Sequence, residues 1–213
     1  IDILGEPSNL AEIELILATS TLLGKLDFRH FTIRINDRQI LKAMAGYSGF
    51  AKESFDEVFI ILDKMDKIGP EGVEMELKEA GYKENVVDTY LTLFKEVTND
   101  LEGIHYLKEK LAGYLEPEVA EGLETIISTV EETKEADFAM CFDPTLVRGM
   151  SYYTGTIFEI SMDEFGGSVG GGGRYDKMIG KFTGQDTPAC GFSIGFERIV
   201  LLLLESGYQI PTK

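Results

Sequence analysis

The sequence predicts an α+β fold, an antiparallel sheet flanked by helices and interrupted by an all-helical insertion. Strand-like alternation of apolar and polar residues occurs at residues 30–36 and returns after residue 136, with amphipathic helix patterns in between. Residues 37–136 carry 23 acidic and 11 basic side chains, so most of the net charge of −17 lies there. Strands on both sides of a helical block indicate one sheet with an insertion. We therefore expect a sheet domain from residues 1–36 and 137–213, and a helical domain from residues 37–136.

The first segment predicts a strand, a helix and a second strand. "IDILG" is typical of the end of a strand that stops at Gly5. Apolar residues then recur at helical spacing over residues 8–26, with Ser8 or Asn9 as the N-cap and an end near Gly24. The alternation in "HFTIRIN", residues 30–36, predicts a half-buried strand.

The middle segment predicts a succession of amphipathic helices joined by short loops. The patterns cover residues 38–47, 55–68, 71–82, 86–97 and 118–136. None of these stretches contains a motif that carries chemistry. Our interpretation is a solvated helical insertion rather than a second active site.

The last segment returns to strands. "DFAMCFD", residues 137–143, predicts one strand, and residues 145–171 predict two antiparallel strands joined around Asp163 and Glu164. "TPACGFSIGFERIVLLLLESG", residues 187–207, predicts a strand followed by a largely apolar helix.

Composition excludes several classes of protein. The longest apolar run, residues 199–204, is far too short to span a bilayer, and the first residues show no signal peptide. Cys141 and Cys190 lie 49 positions apart without a CxxC motif, which argues against a zinc site and for a reducing compartment. The acidity argues against nucleic-acid binding through a broad basic face. His30 and His105 are isolated, so we predict no metal site.

The glycine run "GGSVGGGGRYDKMIG", residues 166–180, lacks both common nucleotide-binding patterns. No Gly-Lys-Ser/Thr follows it, and Tyr175 stands where the dinucleotide fingerprint has its third glycine. What remains is a strand whose missing side chains let a flat ligand or another backbone approach closely.

Residues near the glycine run are candidates for a ligand site. Arg148 precedes a predicted strand, and Arg198 begins an apolar helix, an unusual place for a cation that meets no anion. Strand side chains alternate, so we expect Tyr152 and Tyr153 to face opposite sides, with Tyr153 on the face of Gly155, which would leave room beside the ring. The alternatives are core packing for Tyr152, a surface salt bridge for Arg148, and for Arg198 a pair with Glu197 or another carboxylate.

Three motifs in this region resemble the catalytic signatures of histidyl-tRNA synthetases, which are class II aminoacyl-tRNA synthetases. "TLVRGMSYYTGTIFEI" resembles the histidine-specific motif, "GGGGRYDKMIGKF" the glycine-rich strand of the histidine pocket, and "ACGFSIGFERIVLL" motif 3. The resemblance covers nearly the whole chain and implies the class II sheet. Ser151 departs from it, since many relatives carry an acidic residue there.

The resemblance also implies what the chain lacks. Motifs 1 and 2 of the family would precede Ile1, and its anticodon-binding domain would follow Lys213. We therefore expect the second half of a catalytic domain with its helical insertion, and a fragment that is inactive alone.

The family's reaction activates histidine with ATP and transfers it to tRNA(His), which implies roles for particular residues. Arg148 would be catalytic and bind ATP beside the histidine carboxylate, Arg198 would bind ATP, and Mg²⁺ would bridge the phosphates. Histidine would be bound by Asp2, Tyr153, Tyr175, Gly171, Gly172 and Gly173.

The resemblance further implies a cytoplasmic homodimer when the protein is complete, and an insertion that touches the acceptor arm of the tRNA. The alternative is a related non-catalytic protein, the regulatory subunit of ATP phosphoribosyltransferase in histidine biosynthesis.

Overall fold

The sheet has six strands and is mainly antiparallel, which confirms the predicted fold class. The computed structural model describes residues 1–149, 152–162 and 165–209. The strands are β1 (Asp2–Leu4), β2 (Phe31–Asp37), β3 (Phe138–Phe142), β4 (Thr156–Met162), β5 (Gly167–Arg174) and β6 (Ala189–Ile194). Their order across the sheet is β1-β6-β5-β4-β2-β3, and only β2 and β3 are parallel. The predicted junction of β4 and β5 at Asp163 and Glu164 lies outside the described residues.

Helices flank this sheet and fill the middle of the chain. They are α1 (Leu10–Lys25), α2 (Arg38–Ser48), α3 (Phe55–Leu62), α4 (Met65–Glu79), α5 (Glu84–Glu96), α6 (Leu101–Lys110), α7 (Pro117–Thr133), α8 (Gly180–Thr183) and α9 (Phe196–Glu205). The helix predicted over residues 55–68 is two helices, because the chain breaks between α3 and α4. Sequence reasoning missed α6, a short helix whose few apolar residues leave a weak periodicity.

The ends of α1 differ from the prediction in detail. Asn9 holds the N-cap position, but its side chain makes no capping bond and instead donates to the carbonyl oxygen of Gly122 in α7, at 3.2 Å. The helix continues past Gly24 to Lys25. A Cβ on Gly24 would lie 3.1 Å from the Cβ of Ala136. This glycine therefore allows two segments to approach closely and does not cap the helix.

The segment between β2 and β3 is a crossover connection. Phe31 at the start of β2 lies beside Phe138 at the start of β3, so the chain leaves one end of β2 and must return to the other. From residue 38 to residue 136 the described chain contains helices and one isolated bridge, Ala112 with Leu115, and α7 packs on both strands and on α1. The buried apolar residues of these helices and of the sheet form one cluster. The division into two domains at residues 37 and 136 stays a prediction.

A buried ion pair ties α1 to the glycine strand. Nε and Nη2 of Arg174 donate to the two carboxylate oxygens of Glu12 at 2.6 and 2.7 Å, and Glu12 is fully buried. The same guanidinium donates to the carbonyl oxygens of Glu6 and Ser8. Burial lowers the pKa of Arg174, but the hydrogen bonds and charge of Glu12 outweigh it and raise that pKa. The link between β1 and α1 is thereby fixed against the sheet.

Candidate functional site

A cleft of about 580 Å³ lies over the open face of the sheet. Its wall includes four of the residues predicted from the sequence, namely Arg148, Tyr153, Gly171 and Arg198. They come from the segment before β4, from β5 and from the first turn of α9, so the fold brings together residues that are up to 50 positions apart in the sequence.

Arg148 lies directly over the glycine strand. A Cβ on Gly171 would be 2.2 Å from Nη1 of Arg148, so the bare strand supplies the space that the guanidinium occupies. Nη1 also lies 3.1 Å from Oε2 of Glu159, and the arginine side chain is 30% exposed. The ion pair proposed as an alternative role is thus present within the cleft itself.

The two tyrosines do not face opposite sides, and this prediction was wrong. They precede β4 instead of belonging to it, and their ring centroids are 4.3 Å apart. Room for the Tyr153 ring comes from Gly149, where a Cβ would be 2.0 Å from the ring, and from Gly173, where it would be 3.1 Å away. Gly155, the residue expected to provide that room, lies beside Arg174 instead.

Burial, with Tyr152 as a second cause, raises the pKa of Tyr153. The phenol therefore keeps its proton at neutral pH and can donate a hydrogen bond into the cleft.

Asp2 and Tyr175 meet at the side of the cleft. The hydroxyl of Tyr175 donates to Oδ1 of Asp2 at 2.5 Å. Asp2 lies opposite Gly191, which lies opposite Gly173, so this pair belongs to the same row of residues as the floor beneath Tyr153. A Cβ on Gly191 would be 2.0 Å from Oδ1 of Asp2. Burial and the Asp2 carboxylate raise the pKa of Tyr175. Neither residue lines the cleft around Arg148; they form a polar group next to it.

The glycines of β5 divide between the two faces of the sheet because strand positions alternate. Gly171 and Gly173 lie under Arg148 and Tyr153. Gly172 pairs with Phe158 and Phe192, whose rings stack at 5.3 Å on the opposite, buried face. The structure thus places two of the three predicted glycines on the side of the cleft.

Arg198 points toward the other end of the cleft. One of its nitrogens, Nη1, donates to the carbonyl oxygen of Ser168, and the guanidinium lies 5.6 Å from the centroid of the Phe165 ring. Within residues 1–149, 152–162 and 165–209, no carboxylate lies within ion-pair distance of Arg198. The predicted alternative, a pair with Glu197, is not observed, and the charge is left to face the cleft.

Three charged residues of the site were missed in the sequence: Asp63 and Glu159, which line the cleft, and Arg34 beside Glu159. Arg34 in β2 lies opposite Glu159 in β4, and Glu159 lies opposite Gly171 in β5. Nε of Arg34 donates to Oδ2 of Asp143 at 2.6 Å, and its Nη1 lies 3.5 Å from Oε1 of Glu159. Burial lowers the pKa of Arg34, but the charge and hydrogen bond of Asp143 outweigh it and raise that pKa. The available signal was a single charge inside an otherwise apolar strand such as "TIFEISM".

The described residues offer no dedicated metal site, since nowhere among them do three His, Cys, Asp or Glu side chains come together as ligands. In the same part of the chain, every helix is too short or too polar to cross a bilayer.

The arrangement suits an anionic ligand with a flat polar group. Two guanidinium groups at either end of the cleft can hold carboxylate or phosphate oxygens. The glycine floor and the tyrosine hydroxyls beside it leave space and hydrogen-bond partners for a planar ring.

Comparison with known proteins gives consistent results. The family model described as histidyl-tRNA synthetase matches residues 1–199. Histidine–tRNA ligase of Leifsonia xyli subsp. xyli is 44% identical over 216 residues, covering 95% of this chain and 48% of that protein. The crystal structure of histidyl-tRNA synthetase from Nostoc sp. PCC 7120 superimposes with a TM-score of 0.83 at 25% identity, covering 98% of this chain and 50% of that one.

A further structure shares the fold. It is described as an ATP phosphoribosyltransferase regulatory subunit/histidyl-tRNA synthetase from Bacillus halodurans C, and superimposes with a TM-score of 0.75 at 21% identity. The superposition covers 95% of this chain and 52% of that one.

Proposed function

The chain belongs to the histidyl-tRNA synthetase family, and from this premise we propose that it forms part of an enzyme that activates histidine with ATP and transfers it to tRNA(His). The chain spans about half the length of the curated relatives it matches. The observation that carries the proposal is the convergence of Arg148 and Arg198 on one cleft above the glycine strand.

In the first step the histidine carboxylate attacks the α-phosphorus of ATP, and pyrophosphate leaves. Negative oxygens crowd together in the transition state, so a cation held beforehand at that point lowers the barrier. Arg148 suits this role because its guanidinium already lies over Gly171 in the cleft. Arg198, which has no ion-pair partner among the described residues and lies beside the Phe165 ring, suits the nucleotide end.

Recognition of the imidazole is assigned to the polar group beside the cleft. Asp2 offers a carboxylate, and its partner Tyr175 closes that side. Tyr153 offers a protonated phenol from above Gly173. With a carboxylate for one ring nitrogen and a phenol for the other, both nitrogens of histidine find partners.

The proposal assigns Mg²⁺ to the phosphates of ATP, where one or two carboxylates would complete its ligands. No group of three candidate metal ligands occurs among the described residues. Mg²⁺ in such sites is held largely by substrate phosphates. Every step assigned to this chain is therefore carried by its own side chains.

We extend the proposal to a cytoplasmic protein that is a homodimer when complete, with the helical segment touching the acceptor arm of tRNA(His). The acidic surplus of residues 37–136 favours a small local contact over a broad one.

The alternative, a non-catalytic regulatory subunit of ATP phosphoribosyltransferase, is less well supported. The solved structure whose description includes this regulatory subunit is 21% identical to this chain, which establishes a common fold only. A regulatory subunit has no need for two arginines in the cleft, yet both are present and oriented.

The test is histidine-dependent exchange of pyrophosphate into ATP by the full-length protein. Arg148→Ala should lower adenylate formation by about 10²–10³, as for loss of one preorganised electrostatic partner, with a smaller effect on the dissociation constant of histidine. The 213-residue chain alone should give background exchange. Failure of the full-length protein to exchange, combined with tight binding to ATP phosphoribosyltransferase, would favour the alternative.

A further inference from the structure

The cleft contains a carboxylate that the proposed reaction does not use. Glu159 faces the same side of the sheet as Gly171, directly opposite it in the register, and its side chain is only 14% exposed. An acidic group here is unexpected, because the proposed ligands are themselves anionic and would be repelled by it.

Glu159 lies between two guanidinium groups. Oε2 is 3.1 Å from Nη1 of Arg148, and Oε1 is 3.5 Å from Nη1 of Arg34. Arg34 is itself held by Asp143, whose side chain is 6% exposed, at 2.6 Å. A carboxylate removed from water in this way is stabilised by its cationic neighbours. Glu159, Arg148 and Arg34 therefore hold one another in position.

The contact between Glu159 and Arg148 is one of charge more than of hydrogen bonding. Although the two atoms are 3.1 Å apart, Nη1 of Arg148 is buried and has no aligned hydrogen-bond acceptor. Glu159 therefore attracts the guanidinium, through its charge, to a place above Gly171.

We propose that Glu159 is a positioning residue that holds Arg148 over Gly171 before substrate arrives, with Arg34 fixing Glu159 in turn. The role rests on the proposed function, in which Arg148 stabilises the transition state. An arginine side chain has several rotatable bonds, and ordering it costs rotamer entropy. Because the ion pair forms in the free enzyme, Arg148 is already ordered when the reaction occurs. Such preorganisation of the charge is the condition for effective electrostatic catalysis.

Helix α4 extends the same network. Oδ2 of Asp66 lies 3.0 Å from Nη1 of Arg34, so the helical segment contacts the residue that fixes Glu159. The position of Arg148 thus depends on three strands and one helix, all of which are brought together only in the folded protein.

The first experiment needs no activity. Crystal structures of the full-length protein without substrates are compared for the wild type, Glu159→Gln and Glu159→Asp. Glu159→Gln keeps the shape but removes the charge, so the Arg148 guanidinium should leave its place above Gly171. Glu159→Asp keeps the charge on a shorter stem and serves as a second variant if the first does not fold; here the guanidinium should shift toward β4. A guanidinium that stays in place in both variants would overturn the proposal, whatever reaction the protein performs.

The second experiment is a double-mutant cycle on single-turnover adenylate formation. Glu159→Gln should lower the rate by about 10- to 100-fold, the size expected from misplacement of a reacting group by about 1 Å. In the Arg148→Ala background the same change should have little further effect, because Glu159 acts through Arg148. Glu121→Gln, which removes an exposed pair with Lys108 at 2.9 Å, controls for a general change of charge.

Equal losses in both backgrounds would mean that Glu159 acts independently of Arg148, and the proposal would be abandoned. A wild-type protein that forms no adenylate would instead count against the proposed function, and the structural comparison would still decide the role of Glu159.

Discussion

At the scale of single residues, each glycine of β5 leaves room for a different neighbouring group. Gly171 makes room for Arg148 and Gly173 makes room for Tyr153, whereas Gly172 lies against the buried face. The bare strand therefore accommodates the protein's own functional side chains first, and a ligand would contact those side chains above the sheet.

Gly171→Ala in the full-length protein should displace Arg148, because the added methyl group would fall 2.2 Å from Nη1. We expect adenylate formation to fall by at least tenfold, on the order expected when a catalytic group is misplaced. Gly167→Ala is the matched control in the same strand, since the nearest atom there is in the Phe165 ring at 4.0 Å. Single-turnover kinetics of both variants provide the measurement, and equal rates would show that Arg148 does not need its present position.

Asp2→Ala should strongly weaken the binding of histidine, since the carboxylate would hold one tautomer of the imidazole. It should also reduce the preference of the enzyme for histidine over thiazolylalanine. Asp2 is exposed in the free protein, but a bound ring would cover its carboxylate. A covered partner left unpaired costs roughly 1–3 kcal/mol, so an analogue that lacks one nitrogen is disfavoured only while Asp2 is present. The ratio of kcat/KM values for the two amino acids is measured in wild type and variant. Glu121→Ala, which removes an exposed pair with Lys108, serves as the control. An unchanged ratio in Asp2→Ala would remove Asp2 from the pocket.

At the scale of elements, the junction of β2 and α2 contains a buried acid. Asp37 ends the strand and caps the helix, where Oδ1 accepts from the backbone nitrogen of Gln39 at 2.7 Å. Burial is the main cause that raises the pKa of Asp37 from 3.8 to about 7, and the charge of Glu12 adds to it. The Gln39 hydrogen bond, Thr156 and Lys42 oppose this shift.

This elevated pKa has a definite sign for stability. The folded state binds the proton more tightly than the unfolded state, so the contribution of Asp37 is fully present below about pH 4 and is lost as pH rises through about 7. Asp37→Asn keeps a good N-cap and removes the titration. From pH 4 to pH 8, the wild type should therefore lose on the order of 2–4 kcal/mol more unfolding free energy than the variant.

Urea unfolding at several pH values tests this prediction. The control is Asp100→Asn at the N-cap of α6, where hydrogen bonds to Thr98 and Gly103 lower the pKa of the exposed carboxylate. Wild type and Asp37→Asn with identical pH profiles would show that Asp37 is not buried in the way described.

At the scale of the whole molecule, the helical segment between β2 and β3 is also the connection that lets these two strands pair in parallel. The parallel pair of β2 and β3 requires a connection that crosses the sheet, and α7 packs on both strands. Parallel neighbours need a crossover of a dozen or more residues.

Replacing residues 38–136 of the full-length protein by a short Gly/Ser linker should prevent β3 from pairing with β2 and abolish cooperative unfolding. A second variant that replaces only residues 38–116 keeps α7 as the crossover, and should retain a cooperative transition at lower stability. Urea unfolding followed by circular dichroism distinguishes them. If the two variants unfold alike, the connection has no special role in the sheet.

Local pattern was sufficient for most elements, and it pointed to several residues that line the cleft. The strands at residues 30–36 and 137–143 and the helix beginning near Asn9 were predicted from periodicity and capping. Arg148, Tyr153 and Arg198 were found because their motifs are contiguous in the chain. The weakly periodic α6 was missed, and the break between α3 and α4 was not predicted, because short apolar patterns leave these boundaries undetermined.

The sequence by itself determined the α+β class, the helical block between two groups of strands, and the family, since these depend on local periodicity and on contiguous motifs. Only the tertiary structure decided which residues are neighbours. The alternation rule failed for Tyr152 and Tyr153 because they lie outside β4. The Glu159 carboxylate meets Arg148 because strand register places β4 beside β5, and Arg34 joins them from β2. Register depends on long-range pairing, which no single stretch of the chain encodes.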